Sequence, residues 1–135
     1  MTDRAFLDTN VLIYCYTSTE PNKQSKALAV ANLPNVVIST QVLKEFTNIL
    51  RRKFGLEWSA IRAALDEVER NFEVHSNAPA SVKNACRIAE RYGFSFYDSL
   101  IIAAALESGC VVLYSEDLQD GQVIEKVLTV KNPLI

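Results

Sequence analysis

A single histidine, three cysteines, four glycines and four prolines in 135 residues leave several chemistries without material. With His75 alone, a serine or cysteine triad would have to be built around a residue that more simply ends a strand. Cys15, Cys86 and Cys110 are odd in number, widely spaced and set among apolar neighbours, which provides neither a disulfide framework nor a paired-cysteine metal knuckle. They read as reduced, mostly buried thiols. No GxGxxG or GxxxxGK[ST] loop is present to cradle a phosphate. A surplus of one charge is lacking too. Fourteen basic against 16 acidic side chains leave a net charge of −2, which excludes the broad nonspecific grip of a basic protein on nucleic acid. Any polynucleotide must be held locally. The longest apolar run, Leu100 to Leu106, is far too short for a bilayer. The opening MTDRAFLD carries an acid where a secretory leader needs a basic start and an apolar middle. The expectation is a cytoplasmic chain with no membrane partner.

What remains, 49% hydrophobic and 22% charged, is the composition of an ordinary globular domain with room for one core, so residues 1–135 are expected to form a single domain. Short β-prone runs fall at Ala5 to Leu7, Val36 to Ile38, Phe72 to His75 and Val111 to Tyr114, with a fifth near Val127 to Val130. Helical periodicity marks Thr40 to Phe54, Trp58 to Asn71, Ala80 to Tyr92 and Phe96 to Ser108, and more weakly Val11 to Tyr16 and Ser25 to Ala31. Gly55, Gly93 and Gly109 follow such stretches, where a chain leaving a helix favours a residue able to take positive φ. Strands alternating with helices predict an α/β fold with a largely parallel central sheet of four to five strands.

Four acids hold positions from which chemistry would be done. Asp8 directly follows the first strand, where open α/β sheets bind ligands, although helix capping alone would explain it. Glu45 lies about 40° beyond the apolar arc of Val42, Leu43, Phe46, Ile49 and Leu50 at about 100° per residue, so it borders the core. Asp98 stands three residues after Ser95 at the head of a helix that is apolar nearly all round, a pattern that a capping box also accounts for. Asp117 follows the fourth strand, where a turn residue is the ordinary reading. Jointly they are harder to dismiss. Each falls at a strand's carboxyl end or in early helical turns, and in a parallel sheet these positions share one edge. Converging carboxylates repel unless a cation offsets them, and oxygen donors without His or Cys suit Mg²⁺ or Mn²⁺.

Two further groups have ordinary and functional readings. Arg51, Arg52 and Lys53 close a helix, where the dipole favours cations, with phosphate binding as the second reading. Tyr14, Tyr16, Phe96 and Tyr97 near the same edge are expected to pack, with base stacking the lesser alternative.

The ordered set FLDTNVLIY, VLKEF, YDSLIIAAAL and LYSEDLQDG resembles the PIN-domain ribonuclease family, in particular the VapC-type toxins of bacterial toxin–antitoxin pairs, over nearly the whole chain. The resemblance implies a three-layer α/β/α fold and metal-dependent endonucleolytic hydrolysis of RNA. It places the family's four catalytic and metal-binding acids on Asp8, Glu45, Asp98 and Asp117, holding one or two Mg²⁺ or Mn²⁺ ions. Asn10 and Ser115 would orient a water or a ligand through hydrogen bonds. Ser115 stands where the family usually has threonine, and Asp120 competes with Asp117 to complete the site, with Asp117 the preferred choice. A homodimer and a small antitoxin partner are implied as well. Two rivals are a haloacid-dehalogenase-like phosphatase, disfavoured because Asn10 replaces its second aspartate, and a noncatalytic domain of the same fold that binds RNA or protein.

Overall fold

Successive strand–helix units build one sheet, beginning with β1 (Ala5–Leu7), whose three residues are all buried. The chain, described over residues 3–135 in a computed structural model, then runs through α1 (Thr9–Tyr16) and α2 (Pro21–Ala31) to β2 (Val36–Ser39). Helices α3 (Thr40–Arg52) and α4 (Trp58–Asn71) lead to β3 (Glu73–His75), and α5 (Pro79–Tyr92) and α6 (Phe96–Glu107) lead to β4 (Val112–Tyr114). A short hairpin of β5 (Val123–Ile124) and β6 (Leu128–Lys131) completes the sheet. Its strand order is β3-β2-β1-β4-β6-β5, parallel except for the β5–β6 pair.

The sheet thus has six strands, one more than the upper sequence expectation. The extra strand is two residues long, too short for any alternation to register. Its turn carries Glu125 and Lys126 at φ +52° and +61°, a conformation normally announced by Asn or Gly. Tertiary contacts hold it instead. The Glu125 carboxylate accepts from Arg87 at 3.0 Å and from the Tyr92 hydroxyl at 3.0 Å, and that hydroxyl accepts from Glu125 N at 2.9 Å.

With the right-handed crossovers that parallel sheets adopt, this strand order assigns α1 to α4 to one face and α5 with α6 to the other, three layers in all. α1 packs on α2 and α3, α3 on α4, and α5 on α6, while β2 meets α3 and α6. The all-round apolar character of α6 is explained by burial of every residue from Ser99 to Ala105. On α3 only Val42, Phe46 and Leu50 are buried outright, which makes it amphipathic and leaves Glu45 at the margin as expected. The Gly93 cap on α5 has φ +79°, the left-handed geometry its position called for. The cysteines differ in burial, and all three are free thiols. Cys110 is buried and Cys15 half-buried, but Cys86 lies on the exposed side of α5.

Topology also fixes where ligands would bind. From β1 the chain winds to β2 and β3 on one side, whereas β4 and β6 add on the other. The order reverses between β1 and β4, and in such sheets the crevice outside the carboxyl ends of the strands at the reversal is the usual ligand site.

Candidate active site

Asp8 is placed at that crevice by β1 pairing with β4: its N–H donates to Tyr114 O at 2.9 Å, extending the ladder by one residue. The side chain is buried, 6% exposed. One carboxylate oxygen accepts from Thr9 N at 2.7 Å and so caps α1, while the other accepts from the Ser115 hydroxyl at 2.8 Å. Capping and site chemistry are therefore not alternatives for this residue. Burial pushes its pKa up to about 6, against the two hydrogen bonds that lower it, with smaller upward contributions from Asp117 and Glu45.

The other three acids arrive from three separate elements. Glu45, in the second turn of α3, accepts from the Thr9 hydroxyl at 2.7 Å. Asp98 sits in the first turn of α6, where Ser95 Oγ caps the helix by accepting from Asp98 N at 3.2 Å. Asp117, on the loop after β4, accepts from the Asn10 amide at 2.7 Å, and its own N–H donates to Ser115 Oγ at 3.2 Å. Its pKa is raised, first by desolvation and then by the neighbouring Glu116 and Asp98 carboxylates. Asp8, Glu45, Asp98 and Asp117 line one pocket of about 180 Å³ together with Thr9, Asn10, Ile49 and Ile101.

Ser115 and Asn10 each hydrogen-bond to the acids. The fully buried Ser115 hydroxyl links Asp8 to the Asp117 backbone, and Asn10 tethers the Asp117 carboxylate. Asp120 does not line the pocket; its carboxylate accepts from Asn132 N at 2.7 Å and secures the chain after β6. Thr9, which sequence reasoning passed over, joins two of the acids through its N–H and its hydroxyl. The only available signal was its place beside Asp8 on the exit of β1.

No lysine or arginine neutralises this pocket: among the described residues, none of the ion pairs includes any of the four acids. Also among the described residues, no three His, Cys, Asp or Glu side chains stand close enough together to hold an ion as they are. The donor set still fits a hard divalent cation. It consists of carboxylate oxygens with amide and hydroxyl groups between them, and Asp8 is a buried acid whose ionised form lacks a positive partner.

The aromatics and the basic run divide by role. Tyr16 packs edge-on against Phe46 at 5.3 Å, and Tyr14 donates to Glu116 at 3.0 Å, while Phe96 and Tyr97 are exposed. Arg51 donates to Leu56 O at 3.0 Å and lies over the Trp58 ring, a structural use, whereas Arg52 and Lys53 line a second cavity.

A family pattern described as the PIN domain matches residues 5–120. Several solved structures share the fold, among them three of similar length. VapC20 of Mycobacterium tuberculosis, described as a sarcin–ricin loop cleaving toxin, is 22% identical with a TM-score of 0.68, covering 82% of this chain and 88% of its own. A toxin–antitoxin complex from Klebsiella pneumoniae is 22% identical with a TM-score of 0.70, covering 96% and 97%. The DNA-bound VapBC of Salmonella typhimurium is 18% identical with a TM-score of 0.70, covering 98% and 99%. No curated protein matches the chain. Because the family pattern runs from the first strand through the loop that carries Asp117, the chain belongs to the PIN domain family.

Proposed function

We propose that residues 1–135 form one metal-dependent endoribonuclease domain, the toxin of a type II toxin–antitoxin pair. The observation that carries this reading is a buried, cation-free Asp8 sharing one pocket with Glu45, Asp98 and Asp117 at the switch point of the sheet. Those four carboxylates would hold Mg²⁺ or Mn²⁺. When bound, such an ion supplies a nucleophilic water at neutral pH and offsets charge on the phosphoryl oxygens. The chain's own groups do the rest. Ser115 and Thr9 N fix Asp8 in orientation, Thr9 Oγ1 and Asn10 set Glu45 and Asp117 in place, and such partners govern ligand geometry. Asp117, exposed on the loop after β4 and held by Asn10, would be the carboxylate placed to accept a proton from the attacking water.

The VapC20 toxin, the Klebsiella pneumoniae toxin–antitoxin complex and the DNA-bound VapBC lend support to the toxin reading and to a small antitoxin partner. The same reading carries a homodimer and a cytoplasmic location. Exposed Phe96, Tyr97 and Trp58 provide apolar surface for protein contacts. Among the described residues no helix is long and apolar enough to cross a membrane. Family membership removes the haloacid-dehalogenase alternative, and Asn10 is engaged with Asp117. Incubating purified protein with mixed RNAs, with and without chelator, tests the activity. Cleavage only with Mg²⁺ or Mn²⁺ is expected; binding without turnover would favour the noncatalytic rival.

A further inference from the structure

Beside the acidic pocket opens a larger cavity of about 410 Å³, and the two share Asn10 and Ile49 as a common wall. The acidic pocket, at about 180 Å³, is below the roughly 300–1,000 Å³ of small-ligand sites, whereas its neighbour falls inside that range. The acids can therefore surround ions and phosphoryl oxygens but cannot enclose a base. The neighbouring cavity has the opposite character. Ile13, Ile49, Tyr14 and Phe54 supply apolar and aromatic wall, and Thr17 and Asn48 supply hydrogen-bonding groups. Arg52 and Lys53 add positive charge to its lining, against one acid, Glu20, which is paired with Lys23. Among the described residues neither cation takes part in an ion pair, unlike Lys23, which is bound to Glu116 at 3.3 Å and to Glu20 at 3.8 Å.

Resting on the nuclease reading, we propose that this cavity receives one nucleoside of the RNA strand, the one adjoining the phosphate cut at the acids, with Arg52 and Lys53 gripping the next phosphate. The shared wall makes the two volumes consecutive along a strand, and apolar faces with polar edges suit an unstacked base. Two cations that no ion pair among the described residues engages, Arg52 and Lys53, the latter over the Phe54 ring at 5.7 Å, stand beside four uncompensated acids and match the charge order of a metal-bridged phosphate followed by a bare one. A nearly neutral protein would thereby hold RNA locally.

The test measures affinity of the full chain for a short single-stranded RNA in chelator, where cleavage is stopped. Asn48→Phe, at an exposed position of α3, narrows the cavity, and an R52E/K53E double variant removes the phosphate grip. Each is expected to weaken binding about fivefold or more, the lower range for removing one stacked base. The double variant should also flatten the salt dependence by about 0.7 for each phosphate it no longer neutralises. An RNA lacking the inserted base should bind the wild-type chain less well, and the Asn48→Phe chain no worse than intact RNA does. A Mn²⁺-induced rise in melting temperature should persist in both variants, because neither alters the acids. Unchanged RNA affinity in the folded Asn48→Phe chain would overturn the proposal and leave the cavity to a protein side chain. A missing Mn²⁺ effect in the wild type would instead count against the metal-dependent reading alone.

Discussion

Replacing Asp8 by asparagine should stabilise the metal-free protein at neutral pH, the reverse of the usual result for a buried side chain. Asp8 has a folded pKa of about 6 against an ordinary 3.8, so the folded state binds the proton more tightly than the unfolded chain. Its contribution to stability is therefore complete below pH 3.8 and is lost as pH rises through 6. A two-unit shift corresponds to about 3 kcal/mol of destabilisation once the group is ionised. Asparagine removes that cost while keeping one carbonyl acceptor for Thr9 N. Its amide can donate to Ser115 Oγ, although the Ser115 hydroxyl proton then loses its acceptor, at about 1 kcal/mol. The net expectation is a gain of about 2 kcal/mol at pH 8, vanishing or reversing near pH 4. Urea unfolding of both proteins in chelator at several pH values measures it. With millimolar Mn²⁺ the order should invert, since ligand binding stabilises the folded wild type by mass action and asparagine removes a negative donor. An Asp8→Asn chain less stable than wild type at pH 8 in chelator, or a difference independent of pH, would refute the electrostatic reasoning.

Further expectations concern the groups around the acids and one distant strut. Asp98→Asn should abolish RNA cleavage while leaving circular dichroism and melting in chelator nearly unchanged, because the side chain is only half-buried. Thr9→Val should fold but bind Mn²⁺ about 10- to 100-fold more weakly by calorimetry, as expected for removing a group that orients a ligand. Tyr92→Phe should cost about 1–3 kcal/mol in urea unfolding, since it deprives Glu125 N of its acceptor and the strained turn of its brace. Removing that hydroxyl should leave the Mn²⁺ affinity untouched.

Much of this layout is legible in the sequence because the signals are local. The periodicity of α3, the all-apolar α6 and the Gly93 stop each reflect a few neighbouring residues obeying helix geometry, and the parallel sheet follows from their alternation with short β-prone runs. Pro21, favoured in a first helical turn, marks the true start of α2, and Asp8 as cap marks that of α1, both earlier than periodicity alone suggests. What is illegible depends on contacts between distant segments. Asp117 and Asp120 occupy the same acid-rich loop, and only Asn10 on one side and Asn132 on the other separate their roles. Strand β5 exists through its pairing with β6 and the brace from α5, not through its own residues. The run Arg51, Arg52 and Lys53 looks uniform, yet successive residues on a helix point about 100° apart, so one serves the α3–α4 turn and two line the second cavity.

Whether carboxylates from four elements bind divalent metal jointly is decided by titrating Mn²⁺ into the protein and its single variants with electron paramagnetic resonance detection. Tight binding is expected of the wild type and of Asp120→Asn, with strong loss in Asp8→Asn, Asp98→Asn and Asp117→Asn. Equal Mn²⁺ affinity in all five proteins, or loss confined to Asp120→Asn, would contradict joint binding.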